Sequence, residues 1–102
     1  MMRPEECSNI NEIRSEIDRI DLQIVSAIAK RQLCVRAASK FKTSETAVKA
    51  PERQAAMLRQ RRSWAQEKGL SPDIIEKLFK DLVQHFIQEE LAHWKCINSK
   101  GE

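Results

Sequence analysis

Four charged side chains lie on, beside or at the end of apolar helix faces: Arg14, Arg31, Lys42 and Glu90. Arg31 follows Ala27 on an apolar seam, where its guanidinium could hold a carboxylate through two parallel hydrogen bonds. The alternative is an arginine whose stem covers apolar neighbours while its charged end reaches water. Arg14 lies one residue past the seam, where an ordinary ion pair with Asp18 is the alternative. Lys42 closes the first predicted helix, where a cation complements the helix dipole.

Glu90 lies on the apolar side of the last predicted helix, close to Phe86 and Trp94. A carboxylate in such surroundings needs a cationic partner or a proton, and the ordinary alternative is an ion pair with Arg14 or Arg31 across a bundle. The set of three cations and one misplaced carboxylate comes with neither a nucleophile–base pair nor a glycine-rich phosphate loop. It therefore indicates a binding site for a small polyanion.

Helices must position these side chains, because the composition disfavours other folds. Of 102 residues, 41% are hydrophobic, while only 2 are Gly, 3 are Pro and none is Tyr. An all-β sandwich needs more turn-forming and aromatic residues than this. The sequence predicts a single all-α domain over 1–102, with helices over about 9–42, 51–68 and 72–97 and a mobile connection over about 43–50.

Capping residues set these helix boundaries. Asn9 can accept a hydrogen bond from the first free amides, and Glu12 completes a capping-box arrangement. Pro51 suits the first turn of the second helix, and Gly69 suits the left-handed position that ends it. Ser71 can cap the third helix.

The first predicted helix is too long for a globule of this size. At about 32 residues it spans ~48 Å, against a diameter of roughly 33 Å for a compact domain of this length. Its apolar seam follows alternating steps of three and four residues through Ile10, Ile13, Ile17, Ile20, Ile24 and Ala27. Burial of the whole seam against a second copy of the chain is the simplest solution, so we expect a homodimer.

Several other classes of protein and site are disfavoured. No apolar run reaches the ~20 residues that cross a bilayer, and the amino terminus lacks the features of a secretory signal. Cys7, Cys34 and Cys96 form no CxxC pair, so we expect neither a zinc site nor a disulfide framework, and a cytoplasmic location. His85 and His93 lie about 12 Å apart along one helix, too far to share a metal ion.

The basic run of Arg59, Arg61 and Arg62 is a weak signal for nucleic acid. Acidic residues such as Asp73 and Glu76 lie nearby in the sequence, and the net charge is only +3. A solvated helix face is the better interpretation. We therefore expect no nucleic-acid, membrane or metal partner.

Three segments carry a family resemblance: IRSEIDRIDLQIV, KRQLCVRAASKFK and APERQAAML. They resemble the AroQ-class, all-helical (type II) chorismate mutases, and within that family the isochorismate pyruvate lyases of salicylate and siderophore synthesis. The similarity runs from residue 4 to about residue 95. It implies a three-helix fold and an intertwined homodimer with two active sites, each completed by the first helix of the other copy.

The resemblance also implies roles for the unusual charged residues. Arg14 would reach across from the second copy to hold one substrate carboxylate, and Arg31 would hold the other. Lys42 would contact a carboxylate and the ether oxygen of the enolpyruvyl group, and Glu90 stands at the position that hydrogen-bonds this oxygen. The connection over 43–50 would be a lid that excludes water.

The implied reaction cleaves isochorismate to salicylate and pyruvate in one pericyclic step. A hydrogen moves from the ring to the enolpyruvyl methylene as the carbon–oxygen bond breaks. Such a step needs no metal, cofactor or nucleophile, and we expect none. Rearrangement of chorismate to prephenate would be a weaker activity of the same pocket. The alternatives are a dedicated chorismate mutase and a catalytically silent helical binding dimer.

Two positions depart from the family pattern. Arg53 would support the site. Dedicated mutases usually carry glutamate at the next position, whereas this chain has Gln54 there and the lyase has an apolar residue. Glu90 replaces the glutamine of the lyase and of many bacterial mutases. An ionised Glu90 would repel negative charge on the ether oxygen, so we expect turnover to fall as pH rises and Glu90→Gln to flatten that decline.

Overall fold

The computed structural model describes residues 3–100 of the chain, and side chains for residues 3–96. These residues form helices and no strand, which confirms the all-α prediction. The α-helices are, in chain order, α1 Ile10–Ala38, α2 Glu45–Lys49, α3 Pro51–Glu67 and α4 Pro72–Lys100. Short 3₁₀ turns cover Pro4–Glu6 and Ser39–Phe41.

The contacts of the chain group into two units that divide between Val35 and Arg36. The first unit contains most of α1, and the second contains α2, α3 and α4. The single domain expected over 1–102 stays a prediction. Its outermost residues, 1–2 and 101–102, lie outside the described part of the chain.

The amino end of α1 is capped at the predicted residue. Asn9 Oδ1 accepts a hydrogen bond from the backbone N–H of Glu12 at 3.0 Å. The Glu12 carboxylate accepts in turn from the backbone N–H of Ser8 at 2.7 Å, one residue before the cap. Both contacts satisfy amides at the helix start, and the carboxylate complements the positive end of the helix dipole.

The carboxyl end of α1 comes earlier than predicted. The α-helix stops at Ala38, and the 3₁₀ turn Ser39–Phe41 follows before Lys42 takes up extended backbone. The Ser39 hydroxyl donates to the carbonyl oxygen of Arg36 at 2.6 Å. A serine hydroxyl that bonds to the backbone in this way competes with regular helical hydrogen bonding, which explains the early end.

The connection predicted to be mobile contains a short helix. Ser44 caps α2, because its Oγ accepts a hydrogen bond from the backbone N–H of Ala47 at 3.1 Å. Val48 is 1% exposed, and α2 packs against α4. Ala50 ends α2 in the left-handed region at φ 41°, and Pro51 begins α3. A serine cap and one buried valine thus order a segment whose polar composition suggested a loop.

Helices α3 and α4 pack against each other and contain most of the core of the second unit. Gly69 has φ 73°, the left-handed conformation that the sequence predicts for the end of α3. The backbone N–H of Leu70 donates to the carbonyl oxygen of Ala65 at 2.8 Å, which satisfies a free carbonyl of the last turn. The buried apolar side chains of the pair are Met57, Ala65, Val83, Phe86 and Leu91. Helix α4 runs to Lys100, beyond the predicted end near 97.

Two arginines of the basic run connect α3 to α4. Arg62 donates to Asp73 at 2.8 Å and to Glu76 at 2.9 Å. The hydrogen bond to Asp73 raises the pKa of Arg62 above its usual value. The guanidinium of Arg61 lies 5.6 Å from the centroid of the Phe79 ring, within the range of a cation–π contact. The run therefore contributes structural contacts within the helix pair.

The apolar seam of α1 is exposed within one chain. Four of its isoleucines are about half exposed, with values of 44% for Ile20, 50% for Ile17, 52% for Ile24 and 55% for Ile10, and Ile13 is half-buried. No residue of α1 is buried.

Among the described residues, no helix is both long and apolar enough to cross a membrane.

Candidate active site

Lys42 and Glu90 form a partly buried ion pair. The Nζ atom of Lys42 lies 2.9 Å from Oε2 of Glu90 and 3.3 Å from Oε1, so the ammonium donates to both carboxylate oxygens. The Glu90 side chain is 7% exposed, and the Lys42 side chain is 23% exposed. Salt screens such a pair less than a surface pair, and charge shortens and strengthens its hydrogen bonds.

Separate elements of the second unit position the two side chains. Glu90 comes from the buried face of α4, where Val83, Phe86 and Leu91 are its apolar neighbours on the helix. Lys42 ends the 3₁₀ turn after α1, with φ −98° and ψ 118°. This extended backbone leads the chain into α2, which packs against α4.

The structure shows a cation beside Glu90 that the helical pattern alone did not predict. The helical pattern identified this carboxylate as buried, and its burial is confirmed. The pattern alone offered Arg14 or Arg31 as its cation, and the structure places Lys42 at hydrogen-bond distance from it. The pattern could not find this partner, because Lys42 follows the end of a helix and has no place in a helical repeat.

Arg14 and Arg31 both lie on α1, in the first unit. Arg14 is exposed and Arg31 is half-buried. Their separation in sequence corresponds to about 25 Å along the helix axis at 1.5 Å per residue. That distance far exceeds the span of a small dicarboxylate, so these two guanidinium groups of one chain cannot hold the same small molecule.

Arg53 and Gln54 lie in the first turn of α3, which begins at Pro51 after the cap residue Ala50. The Arg53 side chain is exposed, and the Gln54 side chain is half-buried. The backbone N–H of Gln54 donates to the carbonyl oxygen of Ala50 at 3.0 Å. The start of α3 is thus coupled through its backbone to the end of α2.

The ion pair defines what this site can do chemically. An ammonium with limited access to water can bind an anion, or stabilise negative charge that develops on an oxygen during a reaction. Glu90 neutralises Lys42 here, so an anionic ligand must either displace the carboxylate or meet it in the protonated form. Among the described residues, no group of three or more His, Cys, Asp or Glu side chains could hold a metal ion.

Sequence reasoning missed Val48. This residue has the lowest exposed fraction of the described residues and lies on the helix that follows Lys42. The available signal was a single large apolar side chain in an otherwise polar segment, shortly before the Ala50–Pro51 junction. One apolar residue shows no periodicity, so the pattern predicts a connection and not a helix in this segment.

Comparison with known proteins shows similarity along most of the chain. The family described as chorismate mutase type II matches residues 13–91. An isochorismate pyruvate lyase of Pseudomonas aeruginosa is 47% identical over 93% of this chain and 94% of its own length. A T-protein of Haemophilus influenzae is 36% identical over 88% of this chain, which corresponds to 24% of that longer protein. A T-protein of Enterobacter agglomerans is 29% identical over 81% of this chain and 22% of its own length.

Proposed function

Because the chain belongs to the chorismate mutase type II family and resembles a lyase within it, we propose that it is an isochorismate pyruvate lyase, which cleaves isochorismate to salicylate and pyruvate. The observation that carries the proposal is the 47% identity to a lyase of that name over nearly the full length of both chains. We place the protein in the reducing cytoplasm, where its three cysteines would stay in the free thiol form.

In the proposed reaction, the bond between the ring carbon and the ether oxygen breaks while a ring hydrogen moves to the enolpyruvyl methylene. The hydrogen completes the methyl group of pyruvate, and the ring becomes the aromatic ring of salicylate. Negative charge grows on the ether oxygen as its bond to the ring breaks. The protein's part is to hold a reactive conformer and to stabilise that charge.

Lys42 is the residue that we assign to charge stabilisation. Its side chain is 23% exposed, and its ammonium group has three donors, enough to reach a carboxylate and the ether oxygen together. Reduced solvent access makes such a charge more effective than the same charge in water. The ammonium donates to both carboxylate oxygens of Glu90.

Glu90 takes part in one of two ways that the ion pair defines. An ionised carboxylate beside a dianionic substrate would compete for Lys42 and repel the developing charge. A protonated Glu90 would instead donate a hydrogen bond to the ether oxygen and leave Lys42 to the substrate. We propose the protonated form in the reacting complex, because a dianionic ligand favours the neutral state of a neighbouring carboxyl group.

We propose that two copies of the chain share each site. Arg14 and Arg31 of one chain lie too far apart along α1 to hold one small dianion, so a site that uses both needs Arg14 from a second copy. The exposed isoleucine seam of α1 supports the same arrangement, because a second copy would remove that apolar surface from water. The homodimer therefore explains both the placement of the arginines and the exposed seam.

Chorismate mutase is the second candidate, favoured by the family to which the chain belongs. Gln54 argues against it as the main activity, since mutases of this class usually carry glutamate there to bind the ring hydroxyl of chorismate. A parallel assay with isochorismate and with chorismate decides between the two. Fast salicylate release with slow prephenate formation supports the lyase, and prephenate alone supports the mutase. If neither product forms, the result supports a catalytically silent helical dimer.

A further inference from the structure

We propose that Val48 is a positioning residue of this site: its burial against α4 docks α2 and thereby holds Lys42 on Glu90. For its effect on turnover the inference rests on the proposed function. For the placement of Lys42 it rests on the second unit of the structure alone, since Lys42, Val48 and Glu90 all belong to that unit.

The burial of Val48 stands out against its own segment. Val48 is 1% exposed, whereas Glu45, Thr46 and Lys49 on the same helix are exposed. Helix α2 has only five residues, too few to be stable through its own hydrogen bonds. Contact with α4 must therefore stabilise it, and Val48 is the one side chain of α2 that is buried.

Polar contacts of the segment do not replace this apolar one. Glu45 reaches α4 through Lys95 at 3.9 Å, but the two side chains are 46% and 62% exposed. Exposed pairs at that distance contribute little to stability, because water and salt screen them. The Lys42–Glu90 pair is better shielded, yet a lysine stem is flexible and does not by itself fix the backbone that carries it.

The backbone at the end of α2 gives an independent sign that the docked conformation is held in place. Ala50 has φ 41°, a left-handed conformation that residues other than glycine seldom adopt. Its N–H donates to the carbonyl oxygen of Thr46 at 2.8 Å, which closes the last turn of α2. Such strain persists only where the surrounding packing outweighs it, and Val48 supplies the buried contact two residues earlier.

The consequence concerns Lys42, six residues before Val48. If α2 leaves α4, the extended backbone at Lys42 loses its fixed continuation and the ammonium is no longer held on Glu90. A charge misplaced by about 1 Å can cost a hundredfold in rate, so the anchor matters for catalysis as well as for local order. This is the expected behaviour of a residue that acts through Lys42 without contact to substrate.

The test compares Val48→Ala with a matched control on the same helix. Thr46→Val exchanges a similar shape at an exposed position of α2, and Val48→Thr keeps the shape of the buried side chain while adding a hydroxyl. Should the alanine variant fail to fold, the threonine variant serves in its place. All variants are measured as the full chain.

The first readout needs no activity. Acetylation of lysines by a small reagent, followed by mass spectrometry, reports how well Glu90 protects Lys42, with exposed Lys68 as internal reference. We expect Val48→Ala and Val48→Thr to raise the relative labelling of Lys42 at least about fivefold, and Thr46→Val to change it less than about twofold. Equal Lys42 labelling in all variants overturns the proposal.

The second readout is a double-mutant cycle on salicylate formation. We expect Val48→Ala to lower kcat at least about tenfold in the wild-type background and less than about twofold when Lys42 is already alanine. Equal losses in both backgrounds mean that Val48 only stabilises the fold, and they overturn the positioning role. If the wild type releases no salicylate, the proposed function fails by itself, and the labelling of Lys42 still decides whether Val48 holds it.

Discussion

The Nζ atom of Lys42 lies 2.9 Å from Oε2 of Glu90, across 48 positions of sequence and from two different elements. The carboxylate is almost fully buried, and the ammonium keeps a limited opening to water. The cation that we assign to catalysis is therefore paired with an acid of its own chain.

Removal of the Lys42 ammonium tests its catalytic role. We expect Lys42→Ala to lower kcat/KM for isochorismate at least about a hundredfold, or ~2.7 kcal/mol of barrier, because the variant loses a preorganised positive charge at the site. Lys40→Ala is the matched control, since Lys40 is exposed in the preceding 3₁₀ turn and its loss should matter less than about twofold. A Lys42 variant as active as the Lys40 variant would remove Lys42 from the mechanism.

The acid at position 90 predicts a pH dependence with a definite sign. Protonated Glu90 can donate a hydrogen bond to the ether oxygen, and this donor is lost as pH rises. We therefore expect wild-type kcat, which reports the substrate complex, to fall as pH rises, and Glu90→Gln to show a flatter profile, because an amide keeps its donor as pH rises. Parallel profiles for the two proteins would contradict a role for the Glu90 proton.

A mixing experiment tests whether two chains share each site. Arg14→Ala and Arg31→Ala should each lose most activity, since each removes one carboxylate contact. When equal amounts are dissociated and reassociated, each mixed dimer contains one site with both arginines. Activity should return to about a quarter of the wild-type value. Sites contained within one chain would regain no activity on mixing, and separate refolding of each variant is the control.

The residue after Arg53 tests the choice between the two activities. We expect Gln54→Glu to raise the ratio of prephenate to salicylate formation, because a carboxylate accepts a stronger hydrogen bond from the ring hydroxyl of chorismate than an amide does. Both products are measured on the same preparation with each substrate. Glu52→Gln, at an exposed position of the same turn, is the control. Its ratio of prephenate to salicylate should stay within about twofold of the wild-type ratio. An unchanged ratio in Gln54→Glu would show that another position selects the reaction.

Local sequence signals predicted most of the helical framework. Asn9 caps α1 and Gly69 ends α3 in the left-handed conformation, since both depend on backbone groups within a few residues. The end of α1 was placed too late, because Ser39 bonds back to Arg36 in a way that the apolar repeat does not reveal. Local chemistry thus predicts where helices exist better than where each one stops.

The helical repeat of α4 also predicted that Glu90 is buried, because position on an amphipathic face depends on residue spacing alone. The partner of that carboxylate and the order of the Lys42–Ala50 connection depend instead on contacts between distant residues. Val48 must reach α4 before α2 is stable, and Lys42 meets Glu90 only when this segment is docked. Residue spacing and local chemistry therefore specify the helices and the unusual charges. Which of those charges pair depends on packing between elements far apart in the chain.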